Sequence, residues 1–376
     1  MKVLTIGGAT QDVFLTYAGT DYMTIAKQGA LTSYLLFESG EKVEIEDITY
    51  KTGGGATNSA TGFKRLGFET SCLCNIKNDE AGKAVRLDLE NEAVETSHIH
   101  ISQQNPTGIS FIINSAQGER TIFAYRGANS LLREEDIPYD VIKNCDQLYI
   151  TSLSNEASKL LPAIVTYAYK YKVPVAINPG ISQLAKGTET LKECLKYIDT
   201  LILNSYEAKN FMIALIERDK SYKKALESLP EKARCKTNET DEKPYLINTP
   251  ILYENLYFSI RKFFQQALAM GPKIVVITNG CNGVYVATEN KILFHPSLKI
   301  PVVDTVGAGD SFGSCFIASL KLKYSIQDAL RNGIINSASV LGHVGAKTGL
   351  LTHEQLKEKR KELDTKLLQE FELQEK

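Results

Sequence analysis

Short runs of β-branched and apolar residues alternate with amphipathic stretches along most of this chain, and the alternation restricts it to a sheet layered with helices. Strand patterns are read over residues 3–6, 71–75, 148–151, 173–177, 200–203 and 273–277. Helical periodicity is read over 57–66, 81–90, 156–171, 255–270, 311–320 and 326–341. An α/β fold is predicted. With 376 residues, 43% of them hydrophobic, the chain can bury a core without metal or disulfide staples.

Two segments interrupt the alternation. Between Val13 and Thr52 lie alternating patches such as Ser33-Tyr34-Leu35-Leu36-Phe37 and Lys42-Val43-Glu44-Ile45-Glu46, and residues 108–114 and 120–125 read as a hairpin around Gln117-Gly118. These predict a small β subdomain over 13–52 and 108–126, projecting from a core made of 1–12, 53–107 and 127–353. Strands inserted directly after the first core strand are placed to close over a reaction and exclude water, although a plain extension of a surface sheet gives the same pattern. Residues 218–253 are rich in Lys, Glu, Ser, Asn and Pro; they predict a polar insertion within the core, with no chemistry assigned. The last stretch, 354–376, has a charged helical pattern with leucines at 356, 363, 367, 368 and 373, and is expected to lie on the surface as a helical tail.

Charge excludes several function classes. The 43 Lys and Arg nearly cancel the 44 Asp and Glu, so there is neither a nucleic-acid footprint nor a polybasic membrane face, and a small-molecule partner is expected. Seven cysteines are scattered, and the one close pair, Cys72-Leu73-Cys74, lacks zinc or redox spacing. Reduced thiols in a cytoplasmic protein are expected. Met1 leads straight into Val3-Leu4-Thr5-Ile6 without a signal-peptide pattern, and no apolar run is long enough to span a bilayer.

The chemistry is concentrated in Asp304-Thr305-Val306-Gly307-Ala308-Gly309-Asp310-Ser311-Phe312. Glycines before an apolar helical run let main-chain N–H groups turn inward at a helix start, where unpaired donors and the helix dipole attract an anion. Asp310 would stand beside a bound phosphate and could accept a proton from an attacking hydroxyl. A loop closed by a helix-capping Asp has the same sequence. Elsewhere, Asp12 follows a Gly-Gly turn where open α/β sheets bind ligands, and Gly53-Gly54-Gly55 with Asn58 offers close backbone approach and both a donor and an acceptor to a polyol.

Asp304 to Phe312 resembles the second family motif of the ribokinase-like PfkB carbohydrate kinases. Gly53-Gly54-Gly55-Ala56-Thr57-Asn58-Ser59-Ala60, followed by Leu66-Gly67, resembles the first. Four shorter markers stand in family order: Gly7-Gly8 with Asp12, Asn178-Pro179-Gly180, Asn204 with Glu207, and Thr278-Asn279-Gly280 with Gly283. The likeness covers roughly residues 1–215 and 255–350.

The resemblance implies a three-layer sandwich around a mainly parallel sheet with a β lid, and transfer of the ATP γ-phosphate, with Mg2+, to an alcohol of a small sugar or sugar derivative. Carried over residue by residue, it implies Asp310 as catalytic base and Gly307, Ala308 and Gly309 as the anion hole. It implies sugar contacts from Asp12, Gly54, Gly55 and Asn58, a nucleotide loop at Thr278, Gly280 and Gly283, and Mg2+ and phosphate arranged by Asn204 and Glu207. A monovalent cation, K+, beside the anion hole would draw on the Asp304 carboxylate and on carbonyls of Val306, Val340, His343, Gly345 and Gly349. Relatives often dimerise through the lid strands, so a homodimer is also expected.

Some residues depart from the ribokinase pattern. Position 55 is Gly where ribokinases carry Lys, and Thr151-Ser152-Leu153-Ser154 lacks the expected Glu, so ribose is not implied. Tyr125-Arg126 resembles 2-keto-3-deoxygluconate kinases, in which an Arg can grip a carboxylate, whereas Gly127-Ala128-Asn129 resembles ribokinases and fructokinases. Nucleosides and sugar acids therefore stand as alternative acceptors, and a sugar-sensing protein without turnover as an alternative function. Gly342-His343-Val344-Gly345-Ala346-Lys347-Thr348 fails the Walker pattern, and the first turn carries no G-x-G-x-x-G, which argues against a nicotinamide enzyme.

Overall fold

The computed structural model describes residues 1–17, 22–27, 30–114, 120–219, 221–222, 227–228, 245–248, 251–253 and 256–374. At its centre nine strands form one sheet, in the spatial order Glu69–Leu73, Lys2–Ile6, Gln147–Ile150, Val175–Ile177, Thr200–Asn204, Ile274–Thr278, Val284–Ala287, Lys291–His295 and Gln369–Glu372. The first six are parallel, and the last three join by antiparallel pairing. Parallel strands covered by helices on both sides need apolar residues at every position, which is why these segments are continuous runs rather than alternations.

Successive side chains go to opposite faces. Leu148, Ile150, Val175, Ile177, Leu201 and Leu203 meet the helices Leu161–Lys170, Ser205–Arg218 and Ile260–Ala269 through Ile164, Phe211 and Phe263. Tyr149, Ala176, Ile202 and Val276 meet Gly55–Arg65, Ala308–Lys321 and Ile326–Leu341 through Phe63, Phe312, Phe316 and Ile334. Three layers result. The carboxyl ends of the six parallel strands share one edge, and Gly7-Gly8, Asn178-Pro179-Gly180, Asn204 and the loop after Thr278 follow those ends.

A second sheet of four strands, in the order Asp47–Gly53, Thr10–Thr16, Gly108–Asn114 and Arg120–Tyr125, is rooted where Thr10 pairs with both Gly53 and Gly108. Its period of two puts Asp12, Lys51 and Ser110 in one row on one face, and Tyr50, Val13, Phe111 and Phe123 in one row on the other. No helix among the described residues is long and apolar enough to cross a membrane.

The structure corrects several expectations. The turn at Gly7-Gly8 ends the core strand at Ile6 and sends the chain out of the sheet, so the lid strand begins at Thr10 and Asp12 belongs to the lid, not to the core. Lys42 to Glu46 is not a strand: no strand among the described residues pairs beside it, Val43 and Ile45 are exposed, and the strand starts at Asp47. The helix expected from 255 starts at Ile260, because Leu256–Phe258 pairs as a strand and the Ser259 hydroxyl caps the helix by accepting from the Lys262 N–H. The helix expected from 311 starts at Ala308, which places Gly309 and Asp310 in its first turn. The Gln117-Gly118 turn, and most of the 218–253 insertion, lie outside the described residues.

The tail differs most. Helix His353–Lys361 gives way to the strand Gln369–Glu372 that completes the nine-stranded sheet. Phe371 packs on the core and Leu373 is buried in it, so the apolar residues there serve sheet packing rather than a helix face. Replacing Leu373 by Ala should lower the free energy of unfolding by about 2–4 kcal/mol in urea titrations. A change within error would mean that the tail contributes nothing to the core.

Candidate active site

Two helix starts meet at the sheet's carboxyl edge. Gly54 is the N-cap of Gly55–Arg65 at φ 100, and a Cβ on it would lie 2.4 Å from the Gly8 carbonyl oxygen, so only glycine lets the chain enter this helix against the Gly7-Gly8 turn. Gly55 is closed off in the same way by the Thr151 side chain. One turn later Asn58, 4% exposed, donates from Nδ2 to Asp310 Oδ2 at 2.8 Å, while its Oδ1 is buried without a partner. Asp310 lies in the first turn of Ala308–Lys321, whose N-cap Gly307 has φ 76 and packs against Ala346. A side chain on Gly309 would meet nothing within 4 Å, so the space in front of this helix start is open. The first N–H groups of such a helix have no intrahelical acceptor, which makes the opening a receptor for negative charge.

The electrostatics concentrate on the same point. Burial holds the Asp310 carboxyl above its ordinary range and the Asp12 charge adds to the rise, while the Asn58 hydrogen bond and the Lys347 charge oppose it. Asp12, 5% exposed on the lid, accepts from the Thr10 hydroxyl at 2.9 Å and from Ser110. Burial raises its pKa too, against those hydrogen bonds and the Lys347 charge. The two carboxylates thus lie near enough for the charge of one to act on the other, one from the lid and one from the core.

Asn204 and Glu207 form a reciprocal cap on Ser205–Arg218: Glu207 N donates to Asn204 Oδ1 and Asn204 N donates to Glu207 Oε2, both at 2.8 Å. Burial pushes the Glu207 carboxyl up to about 7, with the Asp310 charge adding and the Asn204 N–H and Asn178 side chain opposing. Asn204 and Thr278 are register partners at the ends of adjacent strands. Gly280 (φ 52) and Gly283 (φ 96) turn the loop after Thr278 back into Val284–Ala287. Oxygen donors and a tight loop therefore stand together at the ends of two adjacent strands, within electrostatic reach of Asp310.

Comparison with known proteins gives this arrangement its class. The sequence model of the pfkB family carbohydrate kinases matches residues 24–237 and 259–353. The chain belongs to this family. It is 26% identical over 347 residues to a ribokinase of Staphylococcus aureus, covering 90% of this chain and 92% of that one. It is 26% identical over 328 residues to an ATP-dependent 6-phosphofructokinase of Thermoanaerobacterium thermosaccharolyticum, covering 87% and 89%. An Arabidopsis thaliana ribokinase crystallised with ribose and ATP shares the fold at a TM-score of 0.69, with 17% identity over 95% of this chain and 97% of that one. The protein is thus an ATP-dependent carbohydrate kinase, a phosphotransferase of ribokinase fold.

The remaining expected site residues of this kinase fall in two groups. Asp304 staples the loop behind the Gly307 helix start, accepting from Val306 N at 3.0 Å and Gly345 N at 2.8 Å. Val340, His343 and Gly349 gather one turn away: the Val340 carbonyl accepts from His343 N, His343 Nδ1 lies 2.9 Å from the Ser339 oxygen, and Gly349 abuts both Ser339 and His343. Arg126 stands apart, exposed just past the strand Arg120–Tyr125; its carbonyl accepts from Asn129 N at 3.1 Å, and its side chain makes no hydrogen bond or ion pair among the described residues. Sequence reasoning passed over three groups. Asn129 pins the Ala9 backbone with two hydrogen bonds at 2.9 and 2.8 Å, and Tyr149 lies under the site with its hydroxyl beside Ser59. Lys347, seen only as part of a failed Walker motif, is a buried cation whose charge reaches both carboxylates.

Proposed function

We propose that this kinase phosphorylates a hydroxymethyl group of a small sugar or sugar derivative, with Asp310 as general base. The observation that carries the reading is a carboxylate at an open glycine-led helix start, oriented by Asn58 and facing a second buried carboxylate, Asp12, on the lid. Asp12 accepts hydrogen bonds from sugar hydroxyls, and the Asn58 amide that orients Asp310 borders the same sugar. Gly54 and Gly55 contribute their main chain. Thr278, Gly280 and Gly283 form the loop against the nucleotide.

In the reaction Asp310 takes the acceptor's hydroxyl proton, and the alcohol oxygen forms a bond to the γ-phosphorus as the bond to the β–γ bridging oxygen breaks and ADP leaves. The N–H groups of Gly307, Ala308 and Gly309 stabilise charge gathering on the transferred group. The carboxyl and amide oxygens of Glu207 and Asn204 are hard donors that would hold Mg2+ through water, where it would neutralise phosphate charge. A base must be ionised to act, and Asp310 titrates above an ordinary carboxylate, so activity is lost as pH falls through that raised value.

Assays with ATP, Mg2+ and a panel of sugars, sugar phosphates, sugar acids and nucleosides identify the acceptor. On that acceptor Asp310→Asn should lower kcat by about 10²–10⁴-fold with substrate binding retained. Holding an ionised carboxylate at a raised pKa costs stability at neutral pH, so the variant's Tm should be unchanged or higher. Turnover near that of the unaltered enzyme would refute the base assignment.

Two further features extend the reading. The Asp304 carboxylate, with carbonyls of Val306, Val340, His343, Gly345 and Gly349, would hold K+, which would rigidify the loop behind the anion hole. Initial rates should then be higher in KCl than in NaCl at equal ionic strength, and equal rates would remove this site. The lid face bearing Tyr50, Phe111 and Phe123, which are 58%, 44% and 55% exposed, is an apolar surface suited to a second copy. Sedimentation at micromolar concentration should give a dimer that Phe111→Asp dissociates. A monomer in the unaltered protein would exclude it.

A further inference from the structure

We propose that Lys347 is a positioning residue for phosphoryl transfer, its buried ammonium tying the root of the lid to the loop that backs the anion hole. The inference rests on the reading of Asp310 as base and of Gly307–Gly309 as anion hole. Lys347 is 7% exposed. Its Nζ donates to Asp88 Oδ2 at 2.6 Å, on the helix Glu80–Asn91, and to Thr52 Oγ1 at 3.0 Å, on the lid strand Asp47–Gly53; Thr52 itself donates to the same Asp88 oxygen at 2.6 Å. One cation therefore joins three elements.

The loop that carries Lys347 is held on its other sides as well. The Lys347 carbonyl accepts from Arg65 Nη1 at 3.0 Å, and Arg65 belongs to the helix whose first turn presents Asn58. Arg65 is in turn fixed by a two-pronged ion pair with Glu92. Two residues before Lys347, Gly345 N donates to Asp304; one residue before it, Ala346 packs against Gly307 so closely that a Cβ on that glycine would fall 2.3 Å from the Ala346 Cβ. Moving Lys347 thus moves the wall on which the N-cap of the anion-hole helix rests. A shift of about 1 Å at such a wall is enough to cost a large part of the rate.

The ammonium also acts through space. Asp310 is hydrogen-bonded by Asn58 and lies within electrostatic reach of Asp12, Glu207, Tyr149 and Lys347, among which Lys347 supplies the one positive charge. A buried ion pair of this kind is weak evidence for stability, since apolar replacement of such pairs is often neutral. Its value here lies in geometry and field.

Lys347 also lines a cavity of about 490 Å³ between Gln11, Tyr50, Asp88 and Thr348, so a small amine can reach the place left by a truncated side chain. The test uses Lys347→Ala and the apolar near-isostere Lys347→Met in the full chain, with Asp310→Asn in parallel. Lys347→Ala should lose about 10²-fold in kcat with little change in the KM for ATP. Its acid limb should move to higher pH, because the charge that favours ionised Asp310 is gone. Propylammonium, but not NaCl at the same ionic strength, should restore part of kcat and return the limb toward its original position.

If both variants are as active as the unaltered enzyme, the proposal fails. It also fails if activity falls only in step with melting temperature while the acid limb stays in place and propylammonium has no effect. In either case an inactive Asp310→Asn leaves the base assignment standing, whereas an active one overturns that assignment instead.

Discussion

The hydrogen bond between the Asn58 amide and the Asp310 carboxylate joins the first turns of two helices, and the rest of the site is arranged around that meeting. A helix start is electropositive, so two of them converging favour a carboxylate between them, while removal from water disfavours its charge. Removal from water wins, since the Asp310 pKa is raised despite the Asn58 donor and the Lys347 cation. The resulting group is more basic than a solvated carboxylate and is held in one orientation by the Asn58 amide.

Such a meeting requires the two helices to lie unusually close. Gly62 and Gly313 provide that: a Cβ on Gly62 would come within 2.5 Å of Ser314 Oγ, and one on Gly313 within 2.2 Å of the Tyr149 hydroxyl. Tyr149 is a sheet residue reaching up between the helices, in edge contact with Phe63 of one of them. The spacing of the reactive groups is therefore set in the core, by where side chains are missing, before any polar contact is made.

Much of this was legible in the sequence, and for physical reasons. The parallel strands announce themselves as continuous apolar runs, and the glycines at 53–55 and 307–309 mark places where backbone must approach backbone or an anion. The misreadings concern residues whose role depends on a partner distant in the chain. Asp12 has the same neighbours in sequence whether it ends a core strand or enters the lid; only its pairing with Lys51 and Ser110 decides. The tail's leucines fit a helix until the partner strand Lys291–His295 is known, and then the alternation through Phe371 and Leu373 reads as a sheet edge. Lys347 stood in view inside a motif rejected for its spacing, and nothing local could reveal that Asp88 and Thr52 wait for it.

The strand Lys2–Ile6 occupies an interior position, flanked by Glu69–Leu73 on one side and by Gln147–Ile150 on the other. Both neighbours come later in the chain, and the second lies far from it in sequence. Closing so long a loop is entropically unfavourable until the contacts it brings are made, so this topology slows folding and leaves an early strand waiting with its edges bare. Lys2–Ile6 is thus fixed in place only after partners far along the chain have formed, and it needs shelter in the interval.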